Sequence, residues 1–183
     1  MGLIQPTLFR AKTLAALLVL LGIVLLAWGI GALRATNPLL LQACLEVESG
    51  ARAWICRQSL YRLHPTREEV EELNSSAGVQ FPVGMDDANE ATSLLRHYLK
   101  AGVDINAVDQ RSQLQWTALH SAAFEGRLQA VQLLIAHGAD VKLRDARGKT
   151  PLDLVLGNQD KLPPQNVERI VSVLSQGDET NGK

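Results

Sequence analysis

The segment that decides the fold reads WTALHSAAFEGRLQAVQLLIAHGADVKLRD and covers residues 116–145. It sets His120 three residues after Thr117 and directly before Ser121, so two readings are open: a nucleophile beside its base, or a histidine with an architectural role. The tetrapeptide TALH that begins at Thr117 returns as TPLD at Thr150, 33 residues later. Self-similarity at such a period is typical of repeat proteins, in which each unit packs on its neighbours.

The repeat continues on both sides of this segment, with insertions. SLLRHYLKAGVDINAVD, residues 93–109, matches AVQLLIAHGADVKLRD at an offset of 36 residues and aligns Gly102 with Gly138. RIVSVLSQG, which ends at Gly177, matches VQLLIAHG at an offset of 39 residues, and the extra residues fall near the proline pair of GNQDKLPPQN. The pattern therefore predicts three units: a divergent one at 66–108, a well-matched one at 109–144 and a terminal one at 145–177.

The motif T-x-L-H, the glycine after it and the later G-A-D resemble the ankyrin repeat, a unit of about 33 residues. The resemblance implies a mainly α fold, an ankyrin-repeat solenoid of helix-turn-helix units with hairpin-like fingers between them. In that family the threonine caps the first helix of its repeat, and the histidine ties neighbouring repeats together by hydrogen bonds from its ring. Structural roles are therefore expected for Thr117, His120, Thr150, Asp153, Gly102 and Gly138.

Catalytic readings of the same residues lack support in the sequence. A pair of His120 and Ser121 would need an orienting acid and an oxyanion site, and neither is signalled. Gly148-Lys149-Thr150 suggests a phosphate loop, but that loop requires a glycine at position 143, which is Leu143. The two cysteines lack CxxC spacing and a flanking histidine pair. We therefore expect no enzyme, no metal, no cofactor and no small-molecule substrate, with an enzyme of unrecognised site as the alternative.

The resemblance directs the search for function to the surface, because ankyrin-like folds bind proteins through their fingers and the exposed side of their first helices. Large aromatic side chains anchor protein interfaces, so Trp116 and Phe124 lead the candidates, with packing inside the stack as the alternative. Further candidates in the fingers and at the helix end are Gln110, Arg111, Gln113, Gln115, Glu125, Arg144, Arg147 and Lys149. Phe81 and Met85, in the loop SSAGVQFPVGM, are candidates that could instead pack under the repeats.

An apolar run near the N-terminus predicts a single transmembrane helix at 13–33. Its 21 residues, TLAALLVLLGIVLLAWGIGAL, carry no charge, and at about 1.5 Å per residue they span a hydrocarbon core of roughly 30 Å. A signal peptide would have a shorter apolar core, and a buried core helix would show a polar face. Arg10 and Lys12 precede the run whereas only Arg34 follows closely, which favours a cytoplasmic segment at 1–12 and a C-terminal domain outside, in the periplasm if the source is a bacterium.

Residues 34–65 are expected to form a linker and N-terminal capping helices that turn at Ser49-Gly50. Cys44 and Cys56 lie in this segment, and they can form a disulfide in an oxidising compartment or remain thiols in the cytoplasm. A capping-box pattern at Thr66 predicts the start of the next helix. His64 and His97 are expected at the surface, and residues 178–183 are expected to form a polar tail.

Charge argues against nucleic acid as a partner. Three of the 18 basic residues lie in or beside the apolar run, so the rest of the chain carries 15 basic and 19 acidic residues. The chain thus resembles small bacterial membrane-anchored ankyrin-repeat proteins, and we expect it to bind a protein partner beside the inner membrane. That partner could be a periplasmic toxin, sequestered as by an immunity protein, or an exported enzyme; the alternative is a structural role in an envelope complex.

Overall fold

A computed structural model describes the backbone of residues 6–180 and the side chains of residues 17–33 and 35–177. The described part is helical, and its β pairing is limited to isolated bridges. In chain order the helices are α1 (Pro6–Arg34), α2 (Pro38–Val47), α3 (Gly50–Leu63), α4 (Arg67–Ser75), α5 (Ala88–Ala101), α6 (Ala118–Phe124), α7 (Leu128–Ala136), α8 (Pro151–Gly157) and α9 (Pro164–Thr180).

Helix α1 contains the apolar run predicted to cross a membrane. Among the residues whose side chains are described, no single helix is long and apolar enough for that, and Leu17–Leu33 passes the test only together with Pro38–Val47, to which it is bent by 96°. The side chains of residues 13–16, with those of Arg10, Lys12 and Arg34, lie outside the described part. From Leu17 to Leu26 the described apolar side chains of α1 are exposed.

A disulfide-linked helical hairpin follows α1. Asn37 caps α2 by accepting a hydrogen bond from the Leu39 N–H at 2.8 Å. Helices α2 and α3 pack against each other across the predicted turn at Ser49-Gly50, and a disulfide joins Cys44 to Cys56, whose Cα atoms are 6.3 Å apart.

The expectation of solvent-facing histidines after this hairpin is wrong. His64 is buried, with Nδ1 2.8 Å from Glu69 Oε1 and Nε2 3.2 Å from the carbonyl oxygen of Leu33. His97 is half-buried and donates from Nε2 to the His64 carbonyl oxygen at 2.6 Å. Both rings therefore link elements: His64 joins α1 to α4, and His97 joins α5 to the end of α3.

Helices α4 and α5 form the divergent first repeat. The predicted capping box is present: Thr66 Oγ1 accepts from the Glu69 N–H, and Glu69 Oε2 accepts from the Thr66 N–H at 2.7 Å. The long connection to α5 contains two 3₁₀ turns, Gly78–Gln80 and Pro82–Gly84, and ends at Asp87, which caps α5. The first of these turns packs against α6, and the second packs against α5 and α7.

The second repeat consists of α6 and α7, and the terminal one of α8 and α9. Helix pairs α6·α8 and α7·α9 pack against each other, so the first helices form one layer and the second helices another. Gly102 and Gly138 end the second helices with φ values of 104° and 91°, a backbone region that side chains other than glycine rarely adopt. One apolar core runs through all units, from Leu60 and Tyr98 to Ile170.

The predicted hairpin-like fingers are short turns, and an isolated antiparallel bridge joins Val108 to Thr117 at the base of the first one. The first finger pairs the Asp109 N–H with the Trp116 carbonyl oxygen at 2.9 Å, and the second pairs the Asp145 N–H with that of Lys149 at 2.9 Å. Two asparagine side chains accept backbone hydrogen bonds below the fingers. Asn74 Oδ1 accepts from the Asp104 N–H at 2.7 Å within the first repeat, and Asn106 Oδ1 accepts from the Asp140 N–H at 2.8 Å and so joins the first repeat to the second. Helix α9 continues to Thr180, past the predicted start of the tail, and residues 181–183 lie outside the described part.

Candidate protein-binding groove

His120 forms a closed hydrogen-bond network that ties α6 to the second finger. Its Nε2 lies 3.1 Å from the carbonyl oxygen of Lys149, which can only accept, so Nε2 carries a proton. Nδ1 lies 3.3 Å from the Thr117 N–H donor and 2.8 Å from Thr117 Oγ1, so it accepts. Thr117 Oγ1 in turn caps α6 by accepting from the His120 N–H. The ring therefore bridges two repeats in its neutral form.

Protonation of His120 would disrupt this network. Burial lowers the pKa of His120 below its usual value of 6.5, although the Lys149 carbonyl and the Asp145 carboxylate favour the charged form. A second ring proton at Nδ1 would also point at the Thr117 N–H, which is a donor. Ser121 makes no hydrogen bond to the ring, and the Thr117 hydroxyl that lies beside it is buried and caps α6, so the arrangement serves the joint between two repeats.

Asp145 organises the second finger and holds Trp116. Its Oδ1 accepts from the N–H groups of Arg147 and Lys149, each at 2.8 Å, and its Oδ2 accepts from Trp116 Nε1 at 2.9 Å. Burial alone would raise the pKa of Asp145, but the hydrogen bonds from Lys149, Trp116 and Arg147 outweigh it and leave the pKa lowered. The carboxylate is buried and ionised, so the indole of Trp116 is fixed in one orientation.

The ring of Trp116 packs on that of Phe124 and the two form the wall of an open groove. Their centroids are 5.0 Å apart with an interplanar angle of 51°, a tilted arrangement favoured by aromatic pairs. The groove has a volume of about 330 Å³ and runs between the two fingers and the first helices α6 and α8. Phe124 keeps 38% of its surface exposed there. Leu114, Leu154 and Gly157 complete the apolar part of the lining.

The rim of the groove is cationic. Arg147 and Lys149 line it from the second finger and are exposed. The carboxylate of Asp153, also in the lining, accepts from the backbone and the hydroxyl of Thr150, which lower its pKa and tie it into the capping box of α8. The groove thus offers an apolar floor beside two positive side chains, while both of its carboxylates are engaged in the structure of the finger and helix.

The structure brings together only some of the predicted partner-binding residues. Trp116, Phe124, Arg147 and Lys149 meet at the groove. Gln110, Gln113 and Gln115 are exposed on the longer first finger, where Arg111 pairs with Asp109. Glu125 pairs with Arg127, and Arg144 donates to the Gly148 carbonyl oxygen at 2.8 Å, so these two support local structure.

Phe81 and Met85 lie away from the groove, under the first repeat. Met85 is buried and Phe81 is half-buried against the apolar core, so the packing alternative describes them better than partner contact. Their side chains pack between α5 and the N-terminal hairpin. A repeat cannot bury its own apolar face, so it needs such neighbours.

Sequence reasoning missed Leu154 and Gly157, although the 33-residue period contains the signal for them. Position 157 is the equivalent of Phe124 in the next repeat, and position 149 is the equivalent of Trp116. The groove is therefore lined by equivalent positions of successive repeats. Because the later repeat has glycine where the earlier one has phenylalanine, a hollow remains beside the aromatic pair.

Part of the chain is similar to known proteins. The family model for ankyrin repeats in many copies matches residues 98–155. Inversin-B of Xenopus laevis is 42% identical over 67 residues, which are 37% of this chain and 6% of that protein. The inhibitor of Bruton tyrosine kinase of Xenopus laevis is 39% identical over 66 residues, 36% of this chain and 5% of that protein.

A relative named as an enzyme is similar in the same way. The 2-5A-dependent ribonuclease of Homo sapiens is 39% identical over 66 residues, 36% of this chain and 9% of that protein. The matched part is thus a small fraction of each of these relatives, and what they share with this chain is the repeat. The paired helices, the histidine tie and the matching family model together identify residues 98–155 as ankyrin repeats.

Proposed function

We propose that this chain is a membrane-anchored ankyrin-repeat module that binds a protein partner in the groove beside Trp116 and Phe124. The observation that carries the proposal is the exposed face of Phe124, held open next to an indole that Asp145 fixes in place. A preformed apolar hollow with rigid aromatic walls is the kind of site at which a few side chains supply most of the binding free energy.

The lining suggests the chemistry of the partner. A single large apolar side chain fits the hollow that Gly157 leaves beside Phe124, and an acidic residue next to it would meet Arg147 and Lys149. Such charge complementarity raises the rate of association and fixes the register of binding. We therefore infer that the partner presents an aromatic or aliphatic residue flanked by carboxylates.

The anchoring part of the proposal rests on α1. Its described apolar side chains are exposed along Leu17–Leu26, which suits a lipid environment better than water. The Cys44–Cys56 disulfide supports a location of the C-terminal domain outside the cytoplasm, because disulfides persist in oxidising compartments. A reporter fused after Lys183 tests this orientation, since one that is active only outside the cytoplasm would stay silent if the domain faced inward.

For the cellular role we propose that the chain sequesters an exported toxin or assists an exported enzyme. Both roles require a binding groove and neither requires catalysis by this chain. In the toxin case, cells that lack the protein die when the cognate toxin is exported. Survival of such cells with the toxin active would remove that role and leave the enzyme-assisting one.

The groove itself is tested with a size series at position 157. A Cβ at Gly157 meets no atom within 4 Å, so a side chain can start there without a clash. Gly157→Phe is designed to fill the hollow, and Gly157→Ala is the matched control. Proteins recovered with the tagged full-length chain from its own cells are compared by quantitative mass spectrometry. We expect at least one protein that binds the wild type and Gly157→Ala but not Gly157→Phe; identical recoveries for all three would contradict the proposal.

A further inference from the structure

We propose that the α2–α3 hairpin is a membrane-interface foot, which lies flat on the lipid headgroups and holds the repeat stack at a fixed orientation above the bilayer. The inference rests on the proposed anchoring by α1 and adds a second, shallower lipid contact to it. Four observations carry it: the angle of α2, the tie between α1 and α3, an exposed apolar face, and the position of the repeat stack on the opposite face.

The first observation is the direction of α2. It makes an angle of 96° with the described part of α1. The three residues between the helices leave little slack, because the Ala35 N–H donates to the Gly31 carbonyl oxygen and Asn37 caps α2. If α1 stands along the bilayer normal, α2 runs nearly parallel to the bilayer surface.

The second observation sets the depth of the hairpin. Helix α3 packs on α1, and at its end His64 Nε2 donates to the carbonyl oxygen of Leu33 at 3.2 Å. Leu33 ends the predicted span, so α3 returns to the level at which α1 leaves the hydrocarbon. The headgroup region on each side of a bilayer is about 5–8 Å thick, and both ends of the hairpin are therefore held within or next to it.

The third observation is the exposed apolar face of the hairpin. On α2, Leu40, Ala43 and Val47 share one helix face, with Leu40 65% and Val47 84% exposed. On α3, Trp54 is 63% exposed and Ile55 is exposed beside it. Tryptophan at the end of a membrane span is enriched at the headgroup level, where its ring is half in apolar surroundings.

The fourth observation is the side on which the repeat stack lies. On α2 the buried face carries Leu41 and Gln42, and Gln42 Nε2 donates to the Phe81 carbonyl oxygen of the first repeat at 2.7 Å. On α2 the stack thus covers one face, and Leu40, Ala43 and Val47 occupy the opposite one. Trp54 of α3 lies at the edge of the hairpin, where it lines a cleft together with Asp86, Asp87 and Glu90 of the first repeat. On α3, exposed Arg62 adds positive charge, which anionic lipid headgroups attract, whereas Arg52 pairs with Glu48. A bilayer surface fits this combination of apolar, aromatic and basic groups.

The three tryptophans of the chain allow a direct test in proteoliposomes of the full-length protein. Trp28→Phe leaves Trp54 as the reporter of the foot, Trp54→Phe leaves Trp28 as the reporter of α1, and the double variant leaves Trp116 as the background. Each is reconstituted with lipids that carry quenching bromine atoms either near the headgroup or deep in the acyl chains. Trp116 stays in every variant because its indole holds Asp145.

We expect the double variant to keep its emission, Trp54→Phe to lose emission with deep bromine atoms, and Trp28→Phe to lose emission with shallow ones. Adding Leu40→Asp and Val47→Asp to Trp28→Phe should remove the shallow quenching without changing the proportion of protein in the vesicles. If Trp28 is quenched and Trp54 is not, the anchor holds and the foot is wrong. If neither Trp28 nor Trp54 is quenched, the proposed anchoring by α1 is wrong as well. If the emission of Trp54 is blue-shifted but not quenched, the exposed face of the hairpin binds a second copy of the chain and not lipid.

Discussion

Replacing Trp116 by phenylalanine separates its two roles, the packing of its ring on Phe124 and the hydrogen bond of its indole to Asp145. Trp116→Phe keeps an aromatic ring against Phe124 but removes the Nε1 proton that Asp145 Oδ2 accepts at 2.9 Å. Asp145 is buried, so the carboxylate oxygen loses a partner that water cannot easily replace. The variant should therefore fold and be less stable than the wild type.

The magnitude follows from the charge on the acceptor. A hydrogen bond to an ionised group contributes about 1.5–3 kcal/mol to stability, and the two backbone donors to Asp145 Oδ1 remain. We expect a loss of about 2 kcal/mol in the free energy of unfolding and a fall in Tm of roughly 5 °C, since each kcal/mol shifts Tm by about 2–4 °C in domains of this size.

The pH dependence gives a second readout of the same bond. The hydrogen bond from Trp116 helps to keep the pKa of Asp145 below its usual value of 3.8, so the wild type gains stability from it above that pH and loses the gain as pH falls through the lowered pKa. The gap in stability between wild type and variant should therefore narrow in acid. Thermal unfolding of the purified chain followed by circular dichroism measures both effects, with Trp54→Phe as the matched control. Equal Tm values for wild type and Trp116→Phe at neutral pH would refute the assignment of Trp116 to the Asp145 network.

Three further predictions concern the histidine tie, the disulfide and the groove. Because His120 is held neutral with a lowered pKa, the free energy of unfolding of the wild type should decrease as pH falls below 6.5. His120→Gln should be less stable than the wild type at neutral pH but should lose less stability on acidification. Parallel curves of stability against pH for the two proteins would show that the ring does not titrate on unfolding. Reducing the Cys44–Cys56 disulfide, which closes a loop of 12 residues, should cost about 3 kcal/mol in denaturant unfolding, and an unchanged midpoint in the Cys44→Ser, Cys56→Ser double variant would contradict this. Phe124→Ala should weaken partner binding about 20–30-fold, because covering the remaining 38% of the side chain removes on the order of 80 Å² from water, or about 2 kcal/mol. It should also lower Tm by a few degrees, because the ring packs on that of Trp116 and such a pair contributes about 0.5–1.5 kcal/mol. A fall in Tm without loss of affinity would make Phe124 a packing residue.

The repeat could be predicted from the sequence because its signals are local. Thr117 and Thr150 are followed at the third position by side chains that complete a capping box, and Gly102 and Gly138 mark turns that favour glycine. Such contacts join residues a few positions apart, so the order of residue types is enough to predict them. For Cys44 and Cys56 the sequence left a disulfide and two thiols open as alternatives, because the choice depends on the compartment and not on a local pattern.

The contacts around His64, Met85 and Gly157 could be seen only in the folded chain. His64 was expected at the surface, yet α1 and α4 meet around it, and contacts between residues so far apart in sequence leave no periodic signal. Met85 sits in an insertion that the repeat pattern does not describe, so its burial against the core had no template. Gly157 has no side chain to attract attention, and its importance comes from the hollow that it leaves opposite Phe124.

The central claim is that a protein partner occupies the groove between the fingers and the first helices. A diazirine analogue of lysine at position 149, on the rim of the groove, tests it in living cells, with the same analogue at exposed Lys100 on a second helix as the control. On illumination we expect a discrete cross-linked product from position 149 that is absent from position 100 and disappears when Gly157→Phe fills the hollow. The same product from both positions, or one that persists in Gly157→Phe, would contradict it.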